Sequence, residues 1–154
     1  MNLNLFVFDL DFTLWDAGGT WCDATRPPYT WENGKLRDRD GRWICLYPDV
    51  LPVLKELKRK NKRIAAASRT FEPGWALELI QHFNIGSYFD VMEIFPENKV
   101  VHFKKIQRYF QMPFSEMVFF DDEYRNIEAV GNLGVETVFV QNGITREMVL
   151  KYVD

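Results

Sequence analysis

Cysteine and histidine are both scarce in this sequence, with two of each in 154 residues. Cys22 and Cys45 have no neighbouring His or Cys at zinc-ligand spacing, so nothing points to a zinc site, and two ordinary reduced thiols in a cytoplasmic protein are expected. Long hydrophobic runs are missing too. The first residues, MNLNLFVFDLD, are broken by carboxylates and have no basic stretch before them, and no apolar run approaches the roughly 18 residues a membrane span needs. A soluble, unexported protein with no membrane partner is expected. Charge of one sign is not in excess: the formal net charge is −3 and the pI about 5.5, which gives no overall pull toward nucleic acid. The one basic stretch, KELKRKNKR from Lys55 to Arg63, follows an apolar stripe of Val50, Leu54 and Leu57 and reads as the solvated C-terminal end of an amphipathic helix. No repeat or low-complexity segment is visible, and nothing in the sequence speaks to oligomeric state.

What is present is ample core material, 47% hydrophobic and 16% aromatic. Strand-sized apolar runs occur at Leu5 to Phe8, Ile64 to Ala67, Val91 to Phe95, Met117 to Phe120 and Thr137 to Val140. Helical periodicity lies between the later ones: Ala76, Leu79, Ile80 and Phe83; then Phe103, Ile106 and Phe110; then Ile127 to Leu133 before Gly134. A last helix is expected over roughly Arg146 to Val153 with Thr145 as N-cap. This βαβ series predicts an α/β domain, residues 1–154, in which a parallel sheet is covered on both faces and ligands sit beyond the strands' C-terminal ends. Residues 12–46 break the pattern and, with Asp40-Gly41 as a turn signal, predict a β-hairpin insertion.

Chemistry-bearing residues follow four of the apolar runs. After the first comes Asp9-Leu10-Asp11-Phe12-Thr13-Leu14, with two carboxylates at i and i+2 on one face of a strand tip. Crowding favours one ionised carboxylate and one protonated, a nucleophile and an acid. After the second come Ser68, Arg69 and Thr70, donors for an anionic oxygen. After the third, Lys99 opens a helix, the end where a cation gains nothing from the dipole. After the fourth, Asp121 and Asp122 form a repulsive pair that a hard divalent cation would relieve. A nucleophile, a cation to offset charge and positioned donors are the requirements of phosphoryl transfer.

In these motifs the chain resembles the haloacid dehalogenase superfamily, with Asp9 to Leu14, Ser68, Lys99 and Asp121-Asp122 in the places of its four motifs. Within it, FDLDFTLW, LYPDV, AAASRT and PFSEMVFFDDEYRNI resemble the magnesium-dependent phosphatase-1 family. The resemblance implies a three-layer, Rossmann-like fold whose five-stranded parallel sheet has the order 5-4-1-2-3. It implies Asp9 as nucleophile and Mg²⁺ ligand, and Asp11 as general acid then base, with its backbone carbonyl on the metal. Ser68 and Lys99 would hold the phosphoryl oxygens, Asp122 would ligate the metal directly, Asp121 would stand further out, and Asn126 would orient that loop. Phe12 departs from the glycine often found there in the superfamily.

The intervals between motifs leave no room for a large cap domain, so an open site is expected, taking phosphotyrosine-like aryl phosphates, phosphoproteins or sugar phosphates. Trp15, Trp21, Tyr29, Trp31 and Trp43 are either an aromatic wall for a leaving group or a small core for the hairpin itself. Arg69 either contacts substrate or pairs with an acid, and His82 and His102 read as helix-surface residues. The alternatives to a phosphatase are a non-catalytic regulatory module of the same fold and a phosphotransferase.

Overall fold

In the computed structural model, which describes residues 2–154, five parallel strands form the central sheet: β1 (Leu5–Phe8), β6 (Arg63–Ser68), β7 (Val91–Ile94), β8 (Met117–Asp121) and β9 (Glu136–Phe139). Their spatial order is β7-β6-β1-β8-β9. Counting only these strands along the chain, that is 3-2-1-4-5, or 5-4-1-2-3 from the opposite edge. β1 is central, paired in parallel with β6 (Phe6 opposite Ile64) and with β8 (Phe6 opposite Val118).

Alternation along these strands divides the core into two. Phe6, Phe8, Ile64, Ala66, Val118 and Phe120 point to the face covered by α1 (Val50–Arg59), α2 (Pro73–His82) and α5 (Arg146–Leu150). Leu5, Val7, Ala65, Ala67, Met117 and Phe119 point to the other, covered by α3 (Lys99–Phe110) and α4 (Tyr124–Gly131). Strands buried on both faces are continuous apolar runs, which is why β1, β6 and β8 are plain in the sequence. α1 buries Val50, Val53, Leu54 and Leu57, a stripe at i, i+3, i+4 and i+7. Its basic end faces solvent, with Arg59 on Glu56 and Lys58 on Asp90. α5 stops at Leu150 rather than Val153, and Thr145 Oγ1 caps it by accepting from Met148 N–H at 3.1 Å.

The segment after β1 is more than a hairpin. β2 (Trp15–Asp16), β3 (Thr30–Glu32), β4 (Lys35–Arg37) and β5 (Trp43–Leu46) make a four-stranded antiparallel sheet in the order β2-β5-β4-β3. Its tightest turn is Asn33-Gly34, with φ of 52° and 77°, the left-handed pair of a two-residue type I′ loop. Asp40-Gly41 lies instead in the longer β4–β5 connection. There Asp38 accepts N–H bonds from Arg26, Asp40 and Arg42. The aromatics of this segment divide by role. Trp15 and Tyr29 are buried in the same core cluster as β1 and α1, and Trp15 and Trp31 both pack on Phe83 of the main body. The insertion therefore shares the main core and has none of its own. Trp21, Trp31 and Trp43 are exposed, with Arg37 over the Trp43 ring.

Candidate active site

Asp9 follows the last residue of β1, and its N–H donates to Phe120 O of β8 at 3.0 Å, so the sheet itself sets its place. Asp9 Oδ1 receives Lys99 Nζ at 3.0 Å and Oδ2 receives Thr13 Oγ1 at 3.0 Å. Lys99, only 1% exposed, also donates to Asp121 Oδ2 at 2.9 Å and to Ala67 O at 2.6 Å. Asn98 caps α3 through Val100 N–H, and Lys99 turns inward from that first turn because two carboxylates hold it. Burial pushes the Lys99 pKa down, but the charges of Asp9 and Asp121 outweigh it and raise it overall. Burial first, and then the charge of Asp121, hold the Asp9 carboxyl well above the usual carboxylate range against the pull of Lys99.

Asp11 is anchored through one oxygen. Oδ1 accepts from Trp15 Nε1 at 2.7 Å and from Cys22 N–H at 2.9 Å, while burial pushes its pKa up to about 6. Phe12 has φ of 62°, the left-handed region that turns the chain sharply between Asp11 and Thr13. A glycine meets that backbone demand without strain. Asp121 accepts three hydrogen bonds: Lys99 and Asn126 Nδ2 donate to Oδ2, and Glu123 N–H donates to Oδ1 at 2.7 Å. Asp122 is less buried than Asp121, and burial raises its pKa to about 6.

A cavity of about 240 Å³ opens over these groups. Asp9, Asp11, Asp122, Ser68, Arg69 and Lys99 all line it, so six of the seven site residues expected from sequence meet in one place. Asp121 lies behind them, within reach of Lys99. Arg69 lines the cavity without an acid partner among the described residues; its Nη1 donates to Asn126 Oδ1 at 3.2 Å.

A family model described as Acid Phosphatase matches residues 2–154. The chain is 45% identical over 142 residues to magnesium-dependent phosphatase 1 of Homo sapiens, covering 91% of this chain and 79% of the relative. The chain belongs to the acid phosphatase family. A member of the haloacid dehalogenase-like hydrolase superfamily from Schizosaccharomyces pombe is 38% identical over 142 residues, covering 84% of this chain and 80% of that one. Among solved structures, the phosphatase domain of a Bacteroides fragilis protein, complexed with Mg, superposes with a TM-score of 0.63 at 21% identity, covering 91% of this chain and 36% of that longer one.

For this family member the metal question turns on charge. Asp9, Asp121 and Asp122 each present an oxygen within 4.8 Å of the others, close to the roughly 4 Å across an octahedral Mg²⁺ shell with 2.0–2.1 Å bonds. One ammonium against three carboxylates leaves two negative charges, and the pKa values of Asp9 and Asp122 are raised first by burial and then by neighbouring carboxylate charge. Hard oxygen donors with a two-charge surplus fit a small divalent cation.

Several site residues are not legible in the sequence. Thr13, Trp15 and Cys22 orient the two carboxylates of the first motif, yet a hydroxyl, an indole and a backbone N–H carry no signature of that duty. Trp21 and Phe71 stand exposed on the cavity rim, from the insertion and from the loop after β6. His102 is fully buried, not a helix-surface residue, because α3 turns it onto Ser68 and Phe95.

Proposed function

We propose that this protein is a Mg²⁺-dependent phosphatase that hydrolyses phosphate monoesters through an aspartyl-phosphate on Asp9, within one domain spanning residues 1–154. The observation that carries the reading is the convergence of Asp9, Lys99 and the two-charge acidic cluster on one cavity that Asp11 also enters. Asp9, Asp122 and the Asp11 carbonyl would hold the ion, with Asp121 behind them; the three donors already on the buried Asp121 support that division. Bound there, Mg²⁺ supplies positive charge for the carboxylates and the phosphoryl oxygens.

Asp9 attacks phosphorus, a bond forms between its oxygen and phosphorus, and the ester P–O bond breaks. The departing oxygen takes the proton of Asp11, whose pKa of about 6 supports holding one in a buried site. Deprotonated Asp11 then accepts a proton from water as that water attacks phosphorus. The Asp9–phosphorus bond breaks, releasing inorganic phosphate and restoring the carboxylate. Ser68 and the Arg69 side of the turn dock the phosphoryl oxygens, and Lys99 keeps Asp9 oriented by Oδ1. Trp21 and Phe71 on the rim support flat leaving groups, hence phosphotyrosine-like aryl phosphates and phosphoproteins, with sugar phosphates as the smaller alternative. The cytoplasm is the proposed location.

The test is hydrolysis of an aryl phosphate by native protein and Asp9→Asn, with and without Mg²⁺. Phosphate release that needs the metal and vanishes in the variant supports the reading. Equal release by Asp9→Asn overturns it, no release from any phosphate ester points to a regulatory module, and release only with an added acceptor points to a phosphotransferase.

A further inference from the structure

His102 lies on α3, three residues after Lys99, fully buried and unused by the steps above. Its ring stacks on Phe95 with centroids 4.0 Å apart and planes 7° apart. Nε2 faces two carbonyl oxygens, Ser68 O at 2.8 Å and Phe95 O at 2.9 Å, and Nδ1 faces Asn98 O at 3.1 Å. Carbonyls only accept, so each nitrogen can bond there only when it carries a proton. Burial lowers the ring's pKa against the pull of these carbonyls and so favours the neutral form, which has one N–H. Two carbonyls against one place that proton on Nε2, shared between Ser68 O and Phe95 O.

Ser68 O is thereby held twice, because Phe95 N–H also donates to it at 3.1 Å. The carbonyl and the N–H of a planar trans peptide point in opposite directions. Fixing Ser68 O on the β7 side therefore aims the Arg69 N–H toward β1, whose end carries Asp9. The same side chain thus ties α3, which supplies Lys99, to the tip of β6, which supplies Ser68. Ala67 O, one residue earlier on that strand, already receives Lys99 Nζ.

We propose that His102 is a positioning residue for the phosphoryl group: its Nε2–H locks the Ser68 peptide so that the Ser68–Thr70 turn presents its donors to a phosphate seated at Asp9. The inference rests on the docking role given to that turn above.

Two variants separate the donor from the ring. His102→Phe keeps a flat ring on Phe95 and lacks the donor; His102→Gln lacks the ring and keeps an N–H able to reach the same carbonyls. With Mg²⁺ present, His102→Phe should raise both the inhibition constant of inorganic phosphate and the KM for an aryl phosphate by about tenfold, the weight of roughly one hydrogen bond. The Mg²⁺ concentration for half-activity should stay at the native value, and His102→Gln should recover most of the phosphate affinity. Native phosphate affinity in His102→Phe, or equal impairment in the two variants, overturns the inference. Should either variant fail to fold, the native protein serves: the ¹⁵N resonance of His102 Nε2 should move when inorganic phosphate is titrated in with Mg²⁺, and a resonance unmoved at saturation overturns the idea. These outcomes are separate from the function itself, which stands or falls on phosphate release by the native protein and Asp9→Asn with and without Mg²⁺.

Discussion

Each proton of the Lys99 ammonium has an oxygen to go to: Asp9, Asp121 and the carbonyl of Ala67. The side chain is therefore both the counter-charge of Asp9 and a strut between β6, β8 and α3. Lys99→Met removes the charge and leaves two buried carboxylates facing each other. Catalysis should fall at least about 100-fold, as when an oriented cationic donor is lost, and the stability loss should approach the 3–5 kcal/mol typical of a broken buried pair. That loss should be smaller at pH 5 than at pH 7.5, because Asp9, already raised above the carboxylate range, takes up a proton once Lys99 is gone. Denaturant melts at the two pH values check this, and equal losses would mean the carboxylates were not coupled to the lysine. Asp11 makes a different prediction. Asp11→Asn keeps the acceptor for Trp15 and Cys22 N–H but cannot give up a proton, so kcat/KM should drop by about 10²–10⁴ for an alkyl phosphate, whose leaving oxygen needs protonation. An aryl phosphate with an acidic phenol needs little help and should lose much less. Equal losses on the two substrates would remove Asp11 from the proton-transfer role.

Among the elements, loops with left-handed residues carry unequal burdens, and two glycines separate strain from collision. Gly34, in the β3–β4 turn, has φ of 77° and open space where a Cβ would stand. Gly143, before α5, has φ of 81° and a Cβ position only 2.3 Å from the Tyr47 ring. Gly34→Ala should therefore cost about 1–2 kcal/mol, the left-handed penalty alone, with activity retained. Gly143→Ala adds overpacking of roughly 1–3 kcal/mol to the same penalty, and thermal melts of the two variants should rank them in that order. The same contrast explains which elements the sequence discloses. β1, β6 and β8 are buried on both faces, so apolar runs mark them, and the candidate site residues lie at their C-terminal ends, Ser68 and Asp121 as the last strand residues and Asp9 and Asp122 just beyond. The insertion has strands of two to four residues, and β3 has every residue exposed, so neither run length nor alternation marks it. Asp40-Gly41, the turn signal read from the sequence, sits in a loop governed by Asp38, and the two-residue turn is made by Asn33-Gly34 instead. The place of His102 is decided by a contact between residues far apart in the chain, 34 from His102 to Ser68, and the partners of Asp11, four and eleven residues on, depend on an irregular loop; no local pattern encodes either.

At the scale of the whole molecule, a site assembled from the ends of three parallel strands stores electrostatic repulsion in the fold, and proton and metal compete to relieve it. Asp11 and Asp122 have pKa values raised to about 6, and Asp9 too is held well above the usual carboxylate range, by burial and then by the charge of Asp121. A carboxyl raised in the folded state binds a proton there that the unfolded chain, with a pKa near 4, has already released. Its contribution is thus most favourable below about pH 4 and is lost as pH rises through about 6, so this cluster weakens the metal-free protein most at neutral pH. Mg²⁺ supplies the missing charge only once the protons have left. The rise in Tm on adding Mg²⁺ should accordingly be larger at pH 7.5 than at pH 5. At a hundredfold excess over Kd it should approach about 2.7 kcal/mol, or roughly 5–10 °C for a domain of this size. Replacing Asp122 by Asn should abolish most of the rise at pH 7.5. A metal-induced shift independent of pH, or one that survives Asp122→Asn intact, would place the cation away from the carboxylates that β1 and β8 bring together.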